Sequence, residues 1–429
     1  MSEEDNVART PANENPWYWL ATVYGEQEEG KAWHQFDRDV AEKNRAAWNR
    51  WMAQALSEET KAELIGKGFV AAELVHFDDS ETAQFFEDFA ARSGRPNAAP
   101  PDPRGRISLP RVEFARPVDF AGFLFASEAS FHGASFSGHA FFRRAVFFDN
   151  AGFEECAFSR AMFHYTKFFA LASFSRARFS RRANFGKAEF FGDAYFNDVA
   201  FPIFANFGNA EFSGLGFFND ASFSGVASFI GAEFKSQTSF AGVNFQGVPD
   251  FRNATLREAT EWHGVEWPLS PTNRDEAQQQ VYAYEKLKAE MERLKKHVDE
   301  QMFFAKELRA RRALEPFLSL KWLLYFVYEQ FGGYGQSVVR PFVSLAILWA
   351  LGAGLFALLP ATDGWPLDYE TAARLSFTNL IPFLPYKPGE AVMNHLEAWA
   401  KWLGILQAIL GTALLFLFGL ALRNLFRMK

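Results

Sequence analysis

The chain has 429 residues, room for more than one domain, and carries 51 Phe and 12 Trp at a formal net charge of −7. That balance gives no electrostatic reason to expect nucleic acid as a partner. One cysteine, Cys156, excludes an internal disulfide framework and suits a reducing compartment.

Residues 1–15 are polar and acidic and read as a disordered tail. They contain neither the basic nor the apolar region of a signal peptide. Residues 16–95 read as a small helical domain. Trp33, Phe36, Val40, Trp48, Trp51 and Leu56 recur at helical spacing, and Ser57 before Glu58-Glu59 and Asp79-Ser80-Glu81 before Phe85 are helix starts. The tryptophans belong to its core. The Pro-rich residues 96–111 read as a linker.

From Phe120 to Phe251 phenylalanine recurs in steps of five and six residues, and Leu256 closes the series. The steps alternate except between Phe153 and Phe168, where all are five. Self-similarity of this kind marks a repeat architecture. The unit is a small residue, any residue, then Phe, as in Ala183-Asn184-Phe185 and Ala188-Glu189-Phe190. Positions two apart share one side of an extended chain, so Ala and Phe face inward and the polar middle residue outward. Two or three residues rich in Gly, Asn, Asp and Ser separate the units and turn the chain. Such sides stack at about 4.8 Å, and Phe174, Phe179, Phe185, Phe190, Phe196, Phe201, Phe207, Phe212, Phe218 and Phe223 form the middle of an internal ladder. Four sides per coil would need about 21–22 residues, giving about six coils and a rod of about 30 Å.

These residues resemble the Phe-rich form of the pentapeptide-repeat family. The resemblance implies a right-handed quadrilateral β-helix over residues 112–256; the periodicity itself implies a β-solenoid without its hand or number of sides. Pro249 stands at an Ala position and cannot donate to a ladder, which would mark the last coil.

Beyond the repeats, residues 257–316 read as a closing segment around Trp262 and Trp267 followed by amphipathic helices, with Tyr284, Leu287, Met291, Leu294, Val298, Met302 and Leu308 near helical spacing. Packing on the solenoid end and an oligomerisation stalk are the two readings of those helices. Residues 317–340 read as a helix in the membrane surface, with Trp322, Tyr325 and Tyr328 as interfacial residues. Residues 341–360 and 402–422 approach the length of about 20 apolar residues that a bilayer core requires. Lys306, Arg309, Arg311, Arg312, Lys321 and Arg340 precede the first span, and Arg423, Arg427 and Lys429 lie in the basic tail, 423–429, after the second. The positive-inside rule therefore puts both termini in the cytoplasm of a bacterial inner membrane. Residues 361–401 connect the spans, and their helical start, 369–384, has the layout of a re-entrant segment before Pro382, Pro385 and Pro388. The fold class is thus mixed: a helical N-terminal domain, a β-solenoid, and a helical C-terminal region with two transmembrane helices.

No P-loop, Gly-x-Ser-x-Gly elbow or His-Glu-x-x-His motif occurs, and the eight His show no metal-ligand spacing. No enzyme activity and no cofactor is expected. Candidate sites are of two kinds. Phe148, Phe169 and Phe191 each follow an inward Phe at spacings of 21 and 22, so they should stack outward as a partner-binding column. Arg160, Arg176, Arg178, Arg181, Arg182 and Lys187 make a basic patch on the same rod, for a partner or anionic lipid. In the spans, small residues lie four apart at Ala346, Ala350 and Gly354 and at Gly404 and Ala408. Gln407 in the second span and Asn379 in the connection bond across helices or line a pore.

The expected function is a membrane-anchored, oligomeric protein whose cytoplasmic solenoid binds an unidentified protein partner. The alternative is an oligomeric pore gated by the solenoid, since some pentapeptide-repeat proteins resemble two-span channels at their C-terminal ends. This sequence departs from a potassium filter, for Gly333-Tyr334-Gly335 lies before the first span. Some soluble relatives mimic DNA and shield topoisomerases. Those rods are acidic, whereas residues 119–252 hold 12 acidic and 11 basic residues.

Overall fold

The computed structural model describes residues 9–28, 35–268, 270–358, 367–381 and 398–427. Residues 1–8 of the expected tail, Trp33, most of the connection with Pro382, Pro385 and Pro388, and Lys429 lie outside the described residues. The chain forms two compact units, Met1–Leu269 and Ser270–Lys429.

The first unit is organised by the phenylalanine ladder. Each coil closes with four sides, and parallel pairing joins residues 21 or 22 apart, as in Phe168↔Phe190 and Phe190↔Phe212. Along the rod the rings lie face to face: Phe163, Phe185 and Phe207 are 5.0 Å apart at interplanar angles of 1° and 3°. Across the interior they meet edge to face, as Phe174 does Phe185 at 5.1 Å and 84°. Phe185 thus has parallel-stacked and edge-to-face neighbours at once. Ala183, Ala188 and Ala194 are wholly buried beside them, in the narrow space that only small side chains fill; Cys156, Thr166, Val199 and Val243 take the same position elsewhere in the rod.

The ladder runs further than the phenylalanine series. Phe114 stacks beneath Phe136 at 4.5 Å, and Trp262 lies on Phe240 at 4.8 Å and 6°. The segment expected to cap the rod is its last coil, with bridges Ser239↔Glu261 and Asn244↔Glu266. Pro249 does not end the rod; its neighbour Asp250 still bridges to Ser228. At the other end, Ile107–Ser108 pairs with Ala129–Ser130, so the solenoid begins inside the expected linker. Thr10–Pro11, inside the expected tail, pairs with Val112–Glu113. An open first coil presents unpaired N–H and C=O groups, and this short strand covers part of that edge.

Corners are of two kinds. Two-residue corners place their second residue at positive φ, as at Lys187 (57°), Asp198 (57°) and Asn209 (52°), and close with a bond such as Ala188 N–H to the Phe185 carbonyl, 3.0 Å. Three-residue corners stack carbonyls directly on the next coil. A Cβ on Gly225 would fall on the Ile203 carbonyl, so glycine is required there. The run of five-residue steps from Phe153 to Phe168 is explained by one such corner: Ser159-Arg160 has lost a residue, and the ladder shifts register between Phe158 and Arg160.

The N-terminal helices α1 (Pro16–Ala21), α2 (Arg38–Met52), α3 (Glu58–Gly66) and α4 (Asp79–Ser93) are capped by Asn15, Asp37, Ser57 and Asp78. Asp78 and Glu81 form a reciprocal capping box. These helices share the solenoid's core. Trp48 lies 5.3 Å from Phe123 and 5.5 Å from Phe125, and its Nε1 donates to the Leu124 carbonyl at 2.6 Å. Asn49 accepts from Leu124 N–H and donates to the Gly122 carbonyl, which satisfies the backbone of the first coil.

In the second unit α5 (Arg274–Arg293) and α6 (His297–Leu314) form a hairpin around Tyr284, Leu287, Met291 and Phe303. Val298, expected on its apolar face, is exposed because the chain turns at Lys295, φ 58°. Buried Glu307 is held by Lys288 at 2.5 Å and Arg311 at 2.7 Å. Burial, with the Arg309 charge adding to it, brings the Lys306 amine from 10.5 down to about 8. Between these values the unfolded chain holds a proton that the folded chain has shed, so Lys306 makes stability rise with pH across that window. Lys306→Met is expected to be the more stable protein below pH 8, with its advantage fading toward pH 10.5. Urea titrations of both proteins over that range test this; a constant difference overturns it.

Helix α7 (Leu320–Gly332) exposes Leu320, Leu323, Leu324, Val327 and Phe331 and ends in Gly333, Tyr334 and Gly335, all at positive φ. Helices α8 (Val339–Leu358), α9 (Tyr369–Leu380) and α10 (Ala398–Arg427) follow. Val339–Leu358 and Lys401–Arg427 are long and apolar enough to cross a membrane, and only 17% and 28% of their most apolar stretches are buried. The end of α10 lies beside α6 and the joint that precedes α8: Asn424 Nδ2 donates to the Gly335 carbonyl at 3.1 Å, and Arg427 meets Glu300 at 3.4 Å.

Candidate functional site

Three groups of residues have the geometry of a site. The ladder residues Phe174, Phe179, Phe185, Phe190, Phe196, Phe201, Phe207, Phe212, Phe218 and Phe223 are buried and serve as scaffold. Cys156 belongs with them: it takes an inward Ala position, its Sγ donates to the Phe131 carbonyl at 3.0 Å, and burial pushes its thiol up, away from reactivity.

The first group is the outward aromatic column. Phe148 stacks on Phe169 at 5.3 Å and 3°, and Phe169 on Phe191 at 4.8 Å and 9°. One-coil spacing alone aligns them. Lys67 reaches over the Phe169 ring at 5.4 Å, and Phe191 remains 38% exposed. On the adjacent side Tyr195 stacks on Phe217 at 5.1 Å, a second outward pair that the register of 22 would have shown.

The second group is the basic one, and the structure divides it. Going round one coil, the sides end at Phe174, Phe179, Phe185 and Phe190. Arg176 lies after the first and pairs with Glu155 at 2.5 Å; Lys187 lies after the third and donates to the Tyr165 hydroxyl at 3.0 Å. Arg181 and Arg182 lie after the second, with Arg178 on the side leading to it. Arg160 stands one coil below Arg182, since Ala161 pairs with Ala183, and meets His139 Nε2 at 3.0 Å. Burial, then the charges of Arg160 and Arg181, lower the pKa of His139. The aromatic column follows the fourth side. The aromatic column and Arg181 and Arg182, two separate features of one rod on sequence, therefore stand on diagonally opposite corners, because a quarter-turn separates successive sides.

The third group joins α8, α9 and α10. Gln407 Nε2 donates to Ser376 Oγ at 2.6 Å and to the Leu348 carbonyl at 3.2 Å, and Asn379 Nδ2 donates to Gln407 Oε1 at 3.4 Å. Ser376 Oγ donates in turn to the Trp349 carbonyl at 2.8 Å. Gln407 thus bonds across helices. Gly404 is buried on the same stripe of α10 and Ala408 is half-buried, whereas Ala346 and Ala350 are exposed. The close approaches are made by Gly352, against Gln407 and Ser376, and by Gly411, against the Leu380 carbonyl. Those glycines and Ser376 carried no periodic signal. Leu380 shares an apolar groove of about 430 Å³ with Leu345, Ala346 and Leu415, so α9 runs back alongside both long helices to the middle of each. Gly333-Tyr334-Gly335 is a buried joint: the Tyr334 hydroxyl faces Glu329 at 3.4 Å, and Glu329 also holds Arg309 at 2.6 Å and Arg312.

A family model described as pentapeptide repeats (9 copies) matches residues 207–255 and, in a second placement, 218–266. The second placement includes Trp262, in agreement with the extra coil. No curated protein and no solved structure matches the chain.

Proposed function

We propose that this protein, whose solenoid is built of pentapeptide repeats, is a non-enzymatic, membrane-anchored platform that binds a protein partner on the outside of the rod. The observation that carries the reading is the column Phe148–Phe169–Phe191, rings held in register and partly open to water. Exposed stacked aromatics on a rigid scaffold are typical contact sites. Anchoring is supported by two long helices whose apolar faces point outward rather than into a core. Basic residues before α8 and after α10 favour a cytoplasmic solenoid. Replacing Phe148, Phe169 and Phe191 by Ser is expected to lose the partner recovered by pull-down with the wild type. An unchanged set of partners removes the column as the site. Alkaline extraction of membranes tests the anchor: a chain released into the wash is not spanning.

A second reading, an oligomeric pore, is supported by the position of α9. A half-length helix that returns between two spans is the arrangement of two-span channels, and Leu380 lies against the middle of α10 at Gly411. The mass of the detergent-embedded particle comes first, since a monomer has no shared axis to line. A closed oligomer that stays silent in single-channel recording leaves the platform alone.

A further inference from the structure

We infer that the corner carrying Arg160, Arg181 and Arg182 is a separate docking face for a linear peptide with acidic residues at one end and apolar residues at the other. Register places His139, Arg160, Arg182, Phe204 and Val226 in one row on five successive coils. Arg181 and Ile203 stand beside that row. Arg181 and Arg182 are exposed, as are Ile203 (52%) and Val226 (56%). The row thus changes from guanidinium to hydrocarbon within one coil, and Arg182 lies over the Phe204 ring at 5.7 Å at the junction. From Ser137 to Val248 these corner positions contain no carboxylate.

Charge complementarity decides the occupant. Guanidinium groups present a planar fork that matches a carboxylate in two parallel hydrogen bonds. Five coils at about 4.8 Å give a row of about 19 Å, the reach of about six residues of extended chain. A bilayer orders its charge and its hydrocarbon in depth, whereas this row orders them along a line, as a polymer does. The face lies diagonally across the rod from the aromatic column, so it stands or falls apart from that site.

The probe is a labelled peptide of four acidic residues followed by Leu-Phe-Leu, read by fluorescence anisotropy on the full chain in detergent micelles. R181E/R182E is expected to weaken binding at least about tenfold, and I203S/V226S to weaken it similarly. F148S/F169S/F191S is expected to leave it unchanged. All these side chains lie on the outside of the rod, and circular dichroism confirms that each variant is folded. Absence of binding, or equal binding of a scrambled peptide, overturns the proposal. So does capture of phosphatidylserine vesicles that R181E/R182E abolishes while the peptide is ignored; that result assigns the corner to a membrane surface. Loss of partner in F148S/F169S/F191S with normal peptide binding keeps the two faces distinct.

Discussion

Phe207→Ala is expected to lower the stability of the solenoid by roughly 3–5 kcal/mol, the usual cost of emptying a buried phenylalanine site. The site cannot collapse. Phe185 and Phe229 are fixed at 5.0 and 5.1 Å above and below, and Phe196 and Phe218 meet the ring edge to face at 5.2 and 5.4 Å. Each neighbour is fixed by the backbone pairing of its own coil, so none can move in without breaking that pairing. Urea titration with hydrogen exchange measures both the loss and its place. Protection should fall first in the coils on either side, as in a nearest-neighbour array. A loss below about 1 kcal/mol, the range of ordinary surface changes, would place that ring outside the core.

Gly352→Leu is expected to separate α9 from α8 and α10, whereas Gly354→Leu on the same helix is expected to be nearly silent. A Cβ at Gly352 falls on Gln407 Nε2 and Ser376 Oγ; at Gly354 nothing lies within 4 Å. Overpacking costs about 1–3 kcal/mol, and the displaced interhelical hydrogen bonds add about 1–2 kcal/mol in apolar surroundings. Both variants carry the same added hydrocarbon, so helix propensity and hydrophobicity cancel in the comparison. Thermal unfolding of the purified protein in micelles reads the difference. Equal midpoints for the two variants would show that α9 is not held by this contact.

Particular residues show why part of this protein was legible and part was not. The solenoid is a local code. Each Ala-x-Phe unit faces inward because strand geometry alternates sides, and each turn residue sits between units, so reading along the chain is reading along the fold. The outward stack of Phe148, Phe169 and Phe191 followed from the same arithmetic, for a coil of 21 or 22 residues maps sequence spacing directly onto distance. Even the irregular run from Phe153 to Phe168 marked a real event, the residue missing at Ser159-Arg160. The ends of the rod were less legible. Ile107 and Trp262 join the coils without a Phe, since the ladder requires an apolar side chain and a pairing backbone rather than one residue type, and Thr10 joins by backbone pairing alone.

The sequence by itself determined the repeat, its inward and outward faces, the helix caps at Ser57 and near Asp79, and the two long apolar helices, because each depends on residues close in the chain. Tertiary structure alone decided which outward residues share a corner. Arg178, Arg181 and Arg182 lie near Phe191 in sequence, yet a quarter-turn per side carries Arg181 and Arg182 to the opposite edge. It alone also decided that Gln407, Ser376 and Asn379 meet. They come from three helices, and Gly352 and Gly411 admit the approach only because a missing Cβ leaves room for a neighbour far along the chain. Contacts of that kind depend on which helices pack together, and spacing within one segment carries no record of it.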